Sequence, residues 1–342
     1  MKSINRTFIA PALLVAGVLT NASGSCASEL AAVASNQRLS VTQGFSSASL
    51  ASLTRESGKD AEQVAAELVG KLRPGASLQK TVANGGLHFA GENFALDLSQ
   101  DGSAGEFRDL AVAARAHSLG LPLSQKVSAR VLEEKGRAFI AAHLASEITL
   151  APGEQLVALR ADYRTEGGQD LATGKTTEAV TGSRIVFGRS IGGTPVVGNG
   201  SKVIVTFTND GAVESFHYDW PIYSTGAPES VITPAEALSR VQSVMSVRAG
   251  VSAGKTVAAS AGNGSVYPLE IAPNTQLEAL ECGYYDAGVK STMTQSVEPG
   301  CTYRVVLQDR LGTRTAFAGA VPAGALITAD RGWLETQILT GK

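Results

Sequence analysis

Charge is scarce in this chain. Charged residues make up 18% of its 342 positions, against about 25% in an ordinary globular domain. The 29 basic and 31 acidic residues nearly cancel, for a formal net charge of −2. Without a basic surplus the field that gathers phosphate backbones or anionic lipid is missing, so no nucleic-acid partner is expected. Reactive motifs are few too. Gly188-Arg189-Ser190-Ile191-Gly192 has the Gly-x-Ser-x-Gly spacing of one class of hydrolases, but it ends a strand-like run that leads through glycines into another strand, not the strand-to-helix turn that strains such a nucleophile. His88, His117, His143 and His217 are dispersed, with none at the four-residue helical spacing that brings two imidazoles onto one metal. Gly174-Lys175-Thr176 looks like the end of a phosphate loop, but the upstream Gly168 stands one residue out of register. No catalytic residue, metal or cofactor is therefore expected, and the chain reads as a non-enzyme. What is present, 44% apolar residues and 37 glycines, excludes disorder, collagen and coiled coil. The length suits two or three domains of roughly 100–200 residues.

No apolar run reaches the ~20 residues that a membrane-crossing helix needs. The run from Phe8 to Leu19 follows Lys2 and Arg6 and precedes Asn21-Ala22-Ser23-Gly24-Ser25-Cys26-Ala27, the order of parts in a secretory signal. Residues 1–27 are read as a signal peptide, which implies a secreted or periplasmic protein with no integral membrane segment after its removal. Cys26 supports an alternative, lipid attachment at a new N-terminus, although Ser23-Gly24-Ser25 lacks the large aliphatic residue such signals carry. Past the signal only Cys282 and Cys301 remain, an even pair in a compartment that oxidises thiols. One disulfide is expected; it closes a loop of about 20 residues and restricts the unfolded chain by on the order of 3 kcal/mol.

Three passages follow in which a helix precedes short strands. In the first, residues 28–110, a Ser-rich leader at 40–53 gives way to Asp60-Ala61-Glu62-Gln63, a capping box for a helix carrying Val64, Leu68 and Leu72 on one face. Runs at 78–82, 87–89 and 94–98 then read as strands, the first two joined by an Asn84-Gly85-Gly86 hairpin. In the second, residues 111–226, a helix over about 124–145 places Leu132, Gly136, Phe139, Ile140 and His143 on one stripe. Strands follow at 155–164, 184–191, 201–208 and 212–220, with a polar excursion at 165–182 and an Asn209-Asp210-Gly211 turn. The third, residues 227–342, opens on Thr233-Pro234-Ala235-Glu236, a capping box with proline at the first helical position. Strand-like runs follow near 255–260, 266–272, 276–284, 302–308 and 313–319, the last two around Asp309-Arg310-Leu311-Gly312.

Residues 184–247, with paired strands around Gly193-Thr194-Pro195-Val196-Val197-Gly198, the Asn209-Asp210-Gly211 hairpin and the Thr233-Pro234-Ala235-Glu236-Ala237-Leu238 helix, resemble the PepSY and fungalysin/thermolysin-propeptide superfamily. That resemblance implies an α+β fold of repeated cystatin-like modules, each a helix packed on an antiparallel sheet. It also implies a role as inhibitor or folding assistant of a secreted thermolysin-like metalloprotease. No His-Glu-x-x-His occurs in the chain, so the protease domain itself is missing and any inhibition acts in trans.

Two segments offer a surface for such a partner. Gly193, Thr194, Pro195, Val196, Val197 and Gly198 form a loop that projects from a sheet edge, or else simply shape a turn. Phe216, Tyr218 and Trp220 alternate with polar residues and so share one sheet face. That face either anchors a protein partner or packs beneath the long helix. The expected function is a secreted, non-enzymatic binding protein that inhibits or assists a metalloprotease; the alternative is a cell-envelope interaction module without inhibitory activity.

Overall fold

The computed structural model describes residues 45, 47–56, 58–83, 85–249, 258–260, 266–268, 275–288, 296–308, 314–325 and 337–339. The export signal with Cys26, Asn84 of the first hairpin and the Asp309–Gly312 turn lie outside the described residues. Ahead of the middle of the chain come β1 (Ser49–Glu56), α1 (Ala61–Leu72), β2 (Gln79–Ala83), β3 (Gly86–Gly91), β4 (Phe94–Ser99), β5 (Ala104–Asp109), α2 (Leu110–Ala116), β6 (Leu121–Pro122) and α3 (Ala129–His143). Next are β7 (Glu154–Gln169), β8 (Thr176–Ile191), β9 (Thr194–Gly198), β10 (Lys202–Phe207), β11 (Val213–Asp219), β12 (Ile222–Ser230) and α4 (Pro234–Ala249). The last are β13 (Ala258–Ser260), β14 (Val266–Pro268), β15 (Thr275–Asp286), β16 (Ser296–Gln308), β17 (Arg314–Pro322) and β18 (Gln337–Leu339).

The expectation of repeated cystatin-like modules is overturned. Among the described residues the chain is mostly strand, and 16 of its strands join in one mixed sheet whose main path runs β12-β1-β16-β15-β9-β8-β10-β11-β5-β4-β3-β2. The reason lies in pairings between residues far apart in sequence. Strand β1 lies antiparallel to β12 and, through Leu53 and Thr54, to β16. Strand β9 pairs antiparallel with β8 and parallel with β15. Among the described residues the helix-plus-sheet units are not separate: β5 of the first pairs with β11 of the second, and β9 of the second with β15 of the third.

Helix starts follow local chemistry. Asp60 caps α1 by accepting the Gln63 amide at 2.9 Å, while the Gln63 side chain turns along the helix to Glu67 instead of back to the cap. The Thr233 box is reciprocal: Thr233 Oγ1 accepts the Glu236 amide at 3.3 Å and Glu236 Oε2 accepts the Thr233 amide at 2.7 Å. Ser128, not a residue near 124, caps α3.

Helices α1 and α3 cover one face of the strands β3, β4, β5, β11, β10 and β8. The largest core cluster fills the space between, with Val64 and Leu68 from α1, Leu132 and Ile140 from α3, and Ile185, Phe187, Val203 and Val205 from the sheet. A second cluster packs Ala237 and Val241 of α4 on Cys282, Cys301, Tyr303 and Val321. Cys282 and Cys301 stand directly opposite on β15 and β16 and are joined by a disulfide with Cα atoms 4.0 Å apart. No helix among the described residues is long and apolar enough to cross a membrane.

Gly136 sets how closely α3 can approach the sheet. A Cβ built there would lie 2.7 Å from Ile185 Cγ2 and 2.7 Å from the Phe187 ring. Gly70 in α1 is exposed, with nothing within 4 Å of the same atom. Gly70→Ala should therefore stabilise the protein by about 1 kcal/mol through helix preference and reduced freedom of the unfolded chain. Gly136→Ala should lose on the order of 1 kcal/mol net, because overpacking by roughly 1–3 kcal/mol outweighs that gain. Urea unfolding of both variants checks the opposite signs.

Candidate functional site

Of the two segments weighed as partner surfaces, Phe216, Tyr218 and Trp220 are interior, while residues 193–198 are partly so, with Gly193 exposed and Pro195 and Gly198 half-buried. Gly193 ends the two-residue turn from β8, and Thr194, Pro195, Val196, Val197 and Gly198 are β9, held between β8 and β15 instead of projecting as a loop. Thr194, Val196 and Val197 are buried, with Val196 packed against Leu50, Leu53, Tyr284 and Val297. A valine pair flanked by turn-permitting glycines suits a short buried strand as well as it suits a loop. Phe216, Tyr218 and Trp220 are buried beneath α1 and α3, at 1%, 1% and 3% exposure. Phe216 stacks on Phe107 with centroids 5.4 Å apart, and Phe139 of α3 approaches it at 5.6 Å. The polar tips are satisfied inside: the Tyr218 hydroxyl donates to Gly102 O at 3.2 Å and Trp220 Nε1 to Thr149 O at 2.9 Å.

The surface that does project is the part read as a polar excursion. Strands β7 and β8 stay paired out to Gln169 and Thr176, beyond the reach of β10, which pairs only with 183–188 of β8. Every residue from 164 to 178 is exposed. The tip is nevertheless ordered by its own chemistry. Asp170 Oδ1 accepts the amides of Ala172 and Thr173 at 2.8 and 3.2 Å, and the Asp170 carbonyl accepts the Gly174 amide at 2.7 Å. Those backbone and side-chain bonds hold the Asp170 carboxyl below the usual carboxylate range. Gly174 takes φ +68°, open to glycine at no steric cost. The result presents Leu171 at 93% exposure. At the root of the arm, Arg164 donates to Glu214 at 2.8 and 2.9 Å, tying the ribbon to β11. Asp162 of β7 accepts from Arg160 at 3.0 Å and from Arg184 of β8 at 2.8 Å.

A second polar assembly lies within the sheet, where β1, β11, β15 and the start of β10 converge. Arg55 of β1 donates to Asp219 at 2.6 Å and to Asp286 at 2.7 Å. Asp286 also accepts from the Tyr223 hydroxyl, which is bonded to Ser201 Oγ at 2.7 Å. Ser201 is buried with φ 52°, the one positive value at a non-glycine among the described residues. Gly200 makes room for the carboxylate: a Cβ there would meet Asp286 Cγ at 2.1 Å. Lys202 donates to the carbonyls of Val196 and Gly200, both at 3.0 Å. Arg189 donates to Pro221 O at 2.8 Å and stacks on Trp220 with its guanidinium carbon 4.1 Å from the ring centroid.

The titrations follow from this enclosure. Burial pulls the Lys202 ammonium down to about 8, against the opposing pull of Asp286 and Asp219. Burial lifts the Tyr223 phenol well above its ordinary value, with Asp286 adding to the effect. Burial also works against the Arg55 charge, but Asp286 and Asp219 outweigh it and raise its pKa. Strained backbone and shifted titration are features found at active sites. Here Ser201, Asp219 and Asp286 are all buried, with Ser201 bonded to Tyr223 and both carboxylates paired with Arg55. The assembly therefore joins strands; the arm is what faces solvent. No family model matches the chain, and no curated protein is similar to it in sequence.

Removing Arg55 leaves two buried carboxylates without their cation. Arg55→Met should lower the unfolding free energy by about 3–5 kcal/mol, the range for breaking a buried pair on one side, as read from denaturant titration. Lys202 has the reverse sense. Its pKa is about 8 in the folded chain and about 10.4 when unfolded, so between those values the unfolded state binds more protons. Wild type should gain stability relative to Lys202→Met as pH rises from 8 to about 10, and that gain should disappear as pH falls through 8. Urea midpoints of the two proteins at pH 7 and 9.5 check it.

Proposed function

We propose that the chain is an exported, non-catalytic binding protein that engages a protein partner through the β7–β8 arm. The observation that carries this reading is the tip itself, where a network of local bonds keeps a leucine in water instead of letting it fold back. A convex, prearranged tip meets a concave cleft with little ordering cost. A single leucine contributes about 1.5–3 kcal/mol when buried, enough to anchor a protein contact but too little to hold a membrane. The resemblance of residues 184–247 makes a thermolysin-like metalloprotease the partner to test, with the arm, not residues 193–198, entering its cleft. The oxidised Cys282–Cys301 pair supports the exported setting.

Mature protein with its disulfide intact is titrated into a thermolysin-like metalloprotease while hydrolysis of a small peptide substrate is followed. Stoichiometric loss of activity is expected, with Leu171→Asp weakening inhibition roughly 10- to 100-fold at an unchanged melting temperature. Undiminished hydrolysis in the presence of intact protein would reject the protease as partner.

A further inference from the structure

Away from the arm, the turn after α1, the β3–β4 turn and helix α2 enclose an open cavity of about 630 Å³. That volume is in the range of small-molecule sites. Phe94, Ala76 and Val112 give it an apolar wall, while Arg73, Arg115 and Glu92 bring charge to it. A fourth charged group, Asp109, is buried at the floor and already committed. It accepts the Val112 amide at 3.0 Å and pairs with Arg73. Arg73 is fixed in turn by donating to Leu72 O at 3.1 Å and by lying over the Phe107 ring. Two of its five N–H groups are thereby engaged, and the remainder have no acceptor among the described residues. Arg115 is half exposed, and its one ion pair among the described residues is with Asp210, at 3.2 Å. Glu92 is exposed and has no ion pair among the described residues.

The charges decide what fits. Two cations and two anions line the cavity, so its net field is close to zero and a dianion such as a phosphate ester gains little there. A neutral apolar molecule would leave guanidinium donors and the Glu92 carboxylate uncompensated. A small zwitterion with an apolar side chain satisfies both ends. We infer that this cavity binds an amino acid or short peptide, its carboxylate on Arg115 and the free N–H groups of Arg73, its ammonium on Glu92, and its side chain against Phe94 and Val112. Guanidinium forks suit carboxylates because two parallel N–H groups match two oxygens.

The test uses the mature full chain and the dipeptide Leu-Leu, followed by isothermal titration calorimetry. Saturable binding below ~1 mM is expected. Blocking both termini as N-acetyl-Leu-Leu-amide should weaken binding at least tenfold, and Arg115→Gln and Glu92→Gln should each do the same to the free dipeptide. Both substituted side chains are solvent-facing, and unchanged melting temperatures will show that the fold is kept. No saturation at ~10 mM, or equal binding of the doubly blocked or the N-acetylated dipeptide, overturns the assignment. These readouts are independent of protease inhibition by the arm.

Discussion

One guanidinium holds three parts of this chain together. Arg55, on a strand near the N-terminal end of the described residues, bridges Asp219 at the end of β11 and Asp286 at the end of β15. Each carboxylate alone would be an expensive group to bury, and together they would repel. With the arginine between them the cost becomes an adhesive, because the pairing works only when β1, β11 and β15 are all in place. The apolar contacts around it share that logic. Leu50 and Leu53 of β1 fill the space between Val196 of β9 and Val297 of β16, so the charged bridge and a small hydrophobic cluster depend on the same strand. Burying a balanced ion network is weak evidence of high stability, since a packed apolar core could replace it. What it supplies here is a tie across the sheet, for β1 is in register with β12 through seven residue pairs but meets β16 through only two, and the bridge adds β11 and β15 to its partners.

Local signals in the sequence were legible and distant ones were not. The capping boxes at Asp60 and Thr233 mark their helices within a residue, because a cap is a bond between residues three apart. The hairpins of β2 to β4 and the turn at Gly211 follow from backbone angles that few residues can adopt. Strand β1 was hidden: Ser49–Glu56 starts inside the stretch read as a serine-rich leader at 40–53, and its exposed residues dilute the apolar pattern. Losing β1 also loses Arg55, and with it the reason for two acids whose positions look like ordinary surface charge. The arm escaped for a related cause. A ribbon exposed on both faces has no apolar alternation to reveal it, so residues 165–182 looked like a loop although they are largely paired. The inferred module architecture failed because it assumed that adjacent helix and strands close locally, whereas β9 takes a parallel partner from near the C-terminal end of the described chain.

The interior and the surface divide the polar residues between them by purpose. Ser201, Tyr223 and Asp286 meet where strands converge and are bonded in a chain, and Lys202 beside them is spent on the backbone carbonyls of Val196 and Gly200. The arm spends its own on holding a turn, leaving an apolar side chain outside. The cavity beside α2 is the intermediate case, with one ion pair settled at its floor and other charged groups left available at its mouth.

The placement of β1 carries a consequence for the order of assembly. Its main partner, β12, is encoded more than a hundred residues later, and its second, β16, later still; Arg55 meets Asp286 across 231 positions. A chain emerging N-terminus first has to keep Ser49–Glu56 without a partner while the hairpins of β2 to β5 and β7 to β11 form from near neighbours. Short-range pairing accounts for three patches, β2 to β5, β7 to β11 and β15 to β17, whereas β1 joins β12 to β16 only through pairings distant in sequence. Closing so long a loop is slow, and until it happens the edges of β12 and β16 stand open to any other extended segment. The step that completes the native sheet is thus also the interval in which a second chain can compete for the same place.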